Sequence, residues 1–366
     1  MKIAFIGGRN IHKLGGIETY MFNLCTKLKE IGYEPIVYCE SDRNYKEMVN
    51  GFQVIHWKSP KSAYICKIFL GLKSTLHAIF KERGVSIFHY NAWPPSLWSW
   101  IPRIFGRKSI LMGHGLEWKR TKYSPRKQQI MRFMERVTAK INNHLIMVSE
   151  EQTEWFAKEY NKECVTIPTA VNLPEEFEDT NILEKFNIQR ENYYLYLGRL
   201  VQDKNPDFLI KAFLKADVKD SKLVIAGAND ADPKYVSYLH NLTKGSDRVV
   251  FTGAVYGLDK ETILKNCKVF CIPSTIEGLA ITLLEAMSYT KPVIASDIAA
   301  NKEGLGNNGI WVKAENEDDL YQAIKYCEQN IEVINQEASL NYQRIKEHFT
   351  WDHIRDLYNS YIQNIK

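Results

Sequence analysis

The sequence predicts an α/β protein made of two doubly wound parallel-sheet domains. Three observations predict it. A chain of 366 residues is long for a single hydrophobic core. Short runs rich in β-branched and aromatic residues, apolar on both faces, alternate with longer helical patterns, as in parallel sheets covered on both sides. The alternation also begins afresh after a polar, partly helical bridge at about residues 168–192.

The candidate strands of the first half are KIAFIGG (2–8), EPIVYCES (34–41), FQVIHW (52–57), VSIFHYN (85–91), SILMGH (109–114), HLIMVSE (144–150) and VTIPTA (165–170). Those of the second half are YYLYLGR (193–199), KLVIAGA (222–228), RVVFTG (248–253), VFCIPS (269–274), PVIAS (292–296) and GIWVKA (309–314). In the tail, Trp351, Ile354, Leu357, Tyr358 and Tyr361 recur at helical spacing, so the last helix docks on an apolar surface. The domains expected are 1–170 and 171–349, followed by this terminal helix, 350–366. In open parallel sheets ligands bind beyond the carboxyl ends of the strands, so the loops there are where chemistry is sought.

Composition is that of an ordinary soluble protein, 45% hydrophobic and 25% charged. No signal peptide opens the chain, since MKIAFIGG reads as a first buried strand, and a cytoplasmic protein is expected. The most aromatic stretch, FHYNAWPPSLWSWIPRIF, is broken by Pro94, Pro95, Pro102 and Arg103, which argues against a membrane span. The seven cysteines are odd in number and scattered, and even the closest pair, Cys267 and Cys271, has no histidines beside it. They read as structural thiols rather than zinc ligands or disulfides. Residues 1–170 hold 26 Lys and Arg against 14 Asp and Glu, a balance of +12; the remainder holds 22 against 29, a balance of −7. Such asymmetry suggests domains with different partners: anionic lipid, a polyanionic acceptor or nucleic acid for the first.

Four loops carry candidate chemistry. GGRNIHKLGGIETY follows the first strand, and its pair Gly15–Gly16 precedes a helix. Paired glycines let backbone N–H groups approach an anion, although a flexible turn explains them as well. The absence of G-x-G-x-x-G speaks against a nicotinamide dinucleotide fold. In LYLGRLVQDK a buried strand runs into Gly198 and Arg199, with Lys204 beyond; two cations at a sheet edge suit a diphosphate, and a solvated turn is the alternative. In VFCIPSTIEGLAITLLEAM a buried strand leads to Glu277, Gly278 and a helix beginning near Leu279–Ile281. Glu277 suits a cap, whereas Glu285 sits among Leu283, Leu284, Ala286 and Met287 and reads poorly as a surface charge. In SILMGHGLEWKRTK, His114 ends a buried strand and is followed by Glu117, Lys119, Arg120 and Lys122, either a solvated face or an acceptor-binding rim. Asp230-Ala231-Asp232 matches the short acidic pattern by which some sugar transferases hold a metal, but the following Asp-Pro reads as a turn, and no metal role is assigned.

GGIETY, HGLEWKR, GRLVQDK and EGLAITLLEAMSYTKPVIAS, in that order along nearly the whole chain, resemble the retaining glycosyltransferases of family four. The last is similar to that family's paired-glutamate signature, and HGLEWKR looks like relatives that build bacterial cell-surface polysaccharides. The resemblance implies a GT-B fold, two Rossmann-like domains facing an interdomain cleft, with the terminal helix packing back on the first. It implies a nucleotide-diphosphate sugar donor bound by the second domain and a saccharide acceptor, lipid-linked, on the first. Arg199 and Lys204 would then neutralise the diphosphate and Glu285 would hold the ribose. Glu277 would bind the sugar, and backbone amides of Gly278, Leu279, Ala280, Ile281 and Thr282 would support sugar and phosphates. Gly15 and Gly16 would approach the diphosphate, His114 would contact the donor sugar or the transition state, and Glu117 and Arg120 would face the acceptor. Neither a cofactor nor a metal is required on this reading. Ala280 and Leu279 depart from the Gly and Phe common in the family.

Three other readings have some support in the residues. A silent GT-B scaffold that binds a nucleotide or a partner would be expected to have lost its charged site residues, and all five are present here. Nucleic-acid binding rests on the basic half alone, with no recognised module. Peripheral docking on anionic membrane draws on KIFLGLKSTLHAIFKER, whose Ile68, Phe69, Leu72, Leu76 and Ile79 share a face among lysines; core packing explains that helix equally.

Overall fold

A computed structural model describes residues 1–12, 15–59, 63–119, 123–228 and 232–365. The chain forms two compact units. Unit 1 contains Met1–Lys119, Tyr123–Ala170 and the chain from Trp351 onward, and unit 2 contains Val171–Thr350.

Unit 1 is built on an eight-stranded sheet of β1 (Lys2–Gly8), β2 (Glu34–Ser41), β3 (Tyr45–Val49), β4 (Phe52–Lys58), β5 (Val85–Asn91), β6 (Lys108–Gly113), β7 (His144–Met147) and β8 (Val165–Thr166). Their order is β3-β4-β2-β1-β5-β6-β7-β8, parallel throughout except for β3, which runs antiparallel to β4. The expected parallel strands are present, several of them shorter, and β3 is an addition. Asn50 and Gly51, both at positive φ (46° and 78°), close a two-residue hairpin between β3 and β4. An Asn-Gly pair accepts that turn readily. The strand escapes a criterion of two apolar faces because Lys46 and Met48 point outward and are exposed.

One face of this sheet packs on the helix Gly16–Glu30 and on the terminal helix Trp351–Asn364, with Tyr20, Leu24, Trp351, Ile354 and Tyr358 in a common core. The buried stripe of the terminal helix is Trp351, Ile354, Tyr358 and Ile362, while Leu357 is exposed at 37% and Tyr361 packs at the margin. The stripe runs at i, i+3, i+7 and i+11 from Trp351, so Ile362 closes it in place of Tyr361 and Leu357 falls outside it. On the other face lies the helix Ala63–Phe80, whose inward residues are Cys66, Leu70 and Ala78. Its predicted apolar face is covered in part: Phe69 and Leu76 are exposed, Ile68 and Leu72 are half-buried, and Ile79 packs against the core.

Unit 2 carries a six-stranded, all-parallel sheet of β9 (Tyr193–Leu197), β10 (Lys222–Ala226), β11 (Val249–Gly253), β12 (Val269–Ile272), β13 (Val293–Ser296) and β14 (Ile310–Val312). The order is β11-β10-β9-β12-β13-β14. From Val171 on, the polar bridge belongs to this unit, where Val171, Ile182, Leu183 and Ile188 enter its core. Val171 N–H also donates to the Phe349 carbonyl (2.9 Å). All seven cysteines are free and all but Cys164 are buried. Among the described residues no helix is long and apolar enough to cross a membrane.

Candidate active site

Strand order places a switch point in each sheet, where successive connections leave in opposite directions and a crevice opens at the carboxyl ends. In unit 2 it falls between β9 and β12. Gly198 and Arg199 follow β9, and Glu277 follows β12. At the first of these turns the chains come close, for a Cβ added to Gly227, just beyond β10, would overlap the Gly198 carbonyl. Only glycine leaves room there.

The two loops are tied together. Asn205 adopts a left-handed conformation (φ 52°) ahead of Pro206, the first residue of the helix Pro206–Ala216. Its buried amide donates to the Pro273 carbonyl (2.8 Å) and to Thr275 Oγ1 (2.9 Å), while Thr275 N–H donates to the Asp203 carbonyl (3.0 Å). The result fixes Lys204 beside Glu277. Lys204 Nζ pairs with Glu277 Oε1 and donates to the Ile276 carbonyl (3.2 Å), and both side chains are nearly enclosed. Arg199 is exposed and has no ion-pair partner among the described residues. Thus one sheet edge carries an open guanidinium and a lysine–glutamate pair that a polyanion with hydroxyls can separate.

The helix after Glu277 spans Ile281–Ser288, with Ala280 as its N-cap and no side-chain cap, so its first N–H groups are unclaimed by side chains. Leu279 is buried and packs towards Gly304, which leaves Gly278, Ala280, Ile281 and Thr282 half-buried at the rim. Glu285, on this helix, is not a carboxylate without a partner. Its Oε1 accepts from Lys260 Nζ at 2.6 Å, the lysine coming from the helix Gly257–Lys265. Burial pushes the Glu285 carboxyl above its usual range, Lys260 pulls it down, and Glu261 adds to the rise. Lys260 and Asn205 are the site residues that reading the sequence missed. Asn205-Pro206 was legible as a helix start, whereas nothing local marks Lys260.

In unit 1 the switch point lies between β1 and β5. Gly15 is the N-cap of the helix Gly16–Glu30, extended and without a side-chain cap. The place an anion would take there is already lined by a carboxylate: Glu18 Oε1 accepts the Arg9 N–H (2.9 Å), and a Cβ on Gly15 would overlap Glu18 Oε2. His114 follows β6 and lies 3.1 Å from Asn91 Oδ1 through Nε2, with its ring edge-on to Tyr20 (5.4 Å). Burial lowers its pKa to about 3, and Lys67 adds to the effect, so the imidazole is neutral at ordinary pH. Asn91 Oδ1 then accepts from Nε2–H, leaving Nδ1 as an acceptor. Glu117 begins a short turn, Glu117–Lys119; Arg120, Asp230 and Ala231 lie outside the described residues. Lys119 pairs with Glu151 (2.7 Å), and Asp232 caps the helix Pro233–Leu242 by accepting from the Lys234 and Tyr235 N–H groups.

Comparison with known proteins bears on the family and the fold. Residues 14–175 match the family described as Glycosyltransferase Family 4, and residues 178–343 match Glycosyl transferases group 1. An uncharacterized glycosyltransferase of Methanocaldococcus jannaschii is 35% identical over 37% of either chain. The N,N'-diacetylbacillosaminyl-diphospho-undecaprenol alpha-1,3-N-acetylgalactosaminyltransferase of Campylobacter jejuni is 26% identical over 81% of this chain and 77% of its own. The crystal structure of Anabaena HepE in complex with UDP and glucose superposes with a TM-score of 0.81 at 16% identity, covering 100% of both chains. Two matched segments that follow one another along nearly the whole sequence, on a fold shared from end to end, make this chain a member of the family-four glycosyltransferases of GT-B fold.

Proposed function

We propose that the protein is a retaining, metal-independent hexosyltransferase. It moves a sugar from a nucleotide-diphosphate donor to a hydroxyl of a lipid-linked saccharide during assembly of a cell-surface polysaccharide of capsule or O-antigen type. The observation that carries this reading is the convergence of Arg199, Lys204 and Glu277 at the switch point of the unit 2 sheet. The nucleotide in the Anabaena structure and the lipid-diphosphate named for the Campylobacter relative support the choice of donor and acceptor.

On donor binding, Lys204 exchanges its contact with Glu277 for the β-phosphate, and Glu277 turns to a sugar hydroxyl. Arg199 forks onto the diphosphate. Charge on the leaving phosphate grows as the glycosidic bond breaks, so two fixed cations stabilise the transition state more than the ground state. Amides at the start of the helix Ile281–Ser288 add to that field. The ribose hydroxyls are assigned to Glu285, in competition with Lys260. The sugar is attacked on the face the nucleotide leaves, the phosphate oxygen takes the acceptor proton, and configuration is retained. His114, held neutral, is assigned to the donor sugar, Gly15 and Gly16 to the diphosphate, and Glu117 and Arg120 to acceptor recognition.

The assay is transfer from radiolabelled nucleotide-sugars after EDTA treatment, with the product's anomeric configuration read by NMR. Retained turnover and a retained configuration are expected; inversion, or loss of activity restored by magnesium, would contradict the mechanism. Peripheral contact with anionic membrane is assigned to unit 1, where Phe80, Trp100, Ile104 and Phe105 are exposed near exposed Lys81, Arg103 and Arg107 in sequence. Rings of Phe80 and Phe105 meet at 5.6 Å. Flotation with vesicles rich in anionic lipid, but not with neutral ones, is the expected result.

A further inference from the structure

Three side chains of unit 1 that have no assigned part in donor binding have the chemistry of a metal centre. His12 comes from the segment after β1, Glu47 from β3 and His56 from β4. The Nε2 atoms of His12 and His56 lie 2.7 and 2.6 Å from the same oxygen, Glu47 Oε1. The three ligand atoms fall within 4.8 Å of one another.

Each is held by its own surroundings. His56 is fully buried, pairs across the hairpin with Tyr45, and carries the Tyr45 ring stacked on it at 4.0 Å. Glu47 is oriented by β3, two residues along the same inward face from Tyr45. His12 is placed by its own backbone, whose N–H donates to Asn10 Oδ1 (2.9 Å), and its ring lies parallel to that of His56 at 6.2 Å. Its side chain is 52% exposed, which gives an ion a way in from solvent.

We infer that His12, Glu47 and His56 bind a transition-metal dication of the zinc class, pinning the segment that leads from β1 towards Gly15 to the β3–β4 hairpin. Two imidazoles and one carboxylate suit zinc, cobalt or nickel, whereas magnesium and calcium prefer oxygen donors throughout. Three protein ligands leave room for water. Bonds of about 2.0–2.1 Å set tetrahedral ligands roughly 3.3 Å apart, so the group must open slightly, and exposed His12 is the member able to move. As the ion takes each Nε2 lone pair, the proton there moves to Nδ1, with no net change of charge on either ring. His56 Nδ1 is buried without a partner. The site therefore lacks one outer hydrogen bond, which places its affinity about 10–100-fold below a site with both rings anchored.

The test uses the untagged full chain, stripped with EDTA, desalted and titrated with zinc, cobalt or magnesium alone. One equivalent of zinc by calorimetry, a raised Tm with zinc and cobalt but not magnesium, and a visible cobalt d–d band are expected. His12→Ala, at an exposed position, should keep the metal-free Tm and bind zinc at least about 10-fold more weakly; Glu47→Gln should behave likewise. No Tm response to zinc overturns the inference. So does zinc binding unchanged in His12→Ala, which would place the ion elsewhere, with half-buried Cys164 the first suspect.

Discussion

Asn205 offers a direct test of how the site is assembled. It is 1% exposed, left-handed at φ 52°, and donates two hydrogen bonds to the loop that carries Glu277. Asn205→Ala removes both bonds, each worth about 0.5–1.5 kcal/mol net. It also places a Cβ-bearing residue without Asn's local compensation in the left-handed region, at roughly 1–2 kcal/mol. The sum is about 2–5 kcal/mol, or roughly 2–4 °C of Tm per kcal/mol for a unit of this size. Asn205→Gly keeps the bond loss and relieves the strain, so the pair of variants separates the two costs. Scanning calorimetry gives the Tm, and hydrogen-exchange mass spectrometry of segments 199–206 and 272–279 locates the loosening. Because Lys204 and Glu277 are set by this tie, turnover should fall along with local protection. Wild-type Tm, exchange and turnover in Asn205→Ala would refute the reasoning.

Arg199→Ala should lower kcat by about 10²–10³-fold, and Glu285→Ala should mainly weaken donor binding; steady-state kinetics with a labelled donor separates them, and wild-type-like turnover in Arg199→Ala sinks the assignment. Lys260→Met leaves Glu285 without its cation, so its carboxyl titrates at still higher pH and donor binding should weaken as pH falls; a pH-independent Kd in this variant would contradict the pairing. Burial, together with the neighbouring His114, lowers the pKa of His89 from 6.5 to about 3, and burial does the same for His114. The unfolded chain therefore binds more protons between those values, and each group removes up to about 1.4 kcal/mol of stability per pH unit as pH falls through that window. Urea denaturation at pH 7, 6 and 5 should show the decline and His114→Gln a shallower one; flat stability over this range would count against it.

What was legible follows from what is local. β1, β2 and β5 have the predicted bounds because both their faces are buried and glycine or polar residues end them. Arg199 and Glu277 stood out as charges directly beyond buried strands. β3 is not legible as a buried strand, since one of its faces is solvent, and its only local mark is the hairpin pair Asn50-Gly51. The Glu285–Lys260 pair joins residues 25 apart on two helices, and no periodicity within either helix encodes a partner on another. Glu18 stands in the first turn of its helix, and only the folded backbone brings the Arg9 N–H to it. The outward face of the helix Ala63–Phe80 shows the same limit from the other side: apolar spacing identifies a stripe, but the neighbours decide whether that stripe is covered.

The chain leaves unit 1 at Ala170 and returns at Trp351, and the two crossing points are bridged within unit 2 by Val171, Phe349 and Thr350. Unit 2 is thus contiguous in sequence and already closed at its own ends. Unit 1 is not, for Trp351, Ile354, Tyr358 and Ile362 fill a core whose other members were synthesised first. On the ribosome, unit 2 can be finished while the earlier-made unit 1 still waits for its last helix. Its Tyr20 and Leu24 then lack that cover until the helix Trp351–Asn364 emerges, an exposure that invites chaperone holding or aggregation. Truncations that remove only the last helix should therefore damage the unit made first, not the one made last.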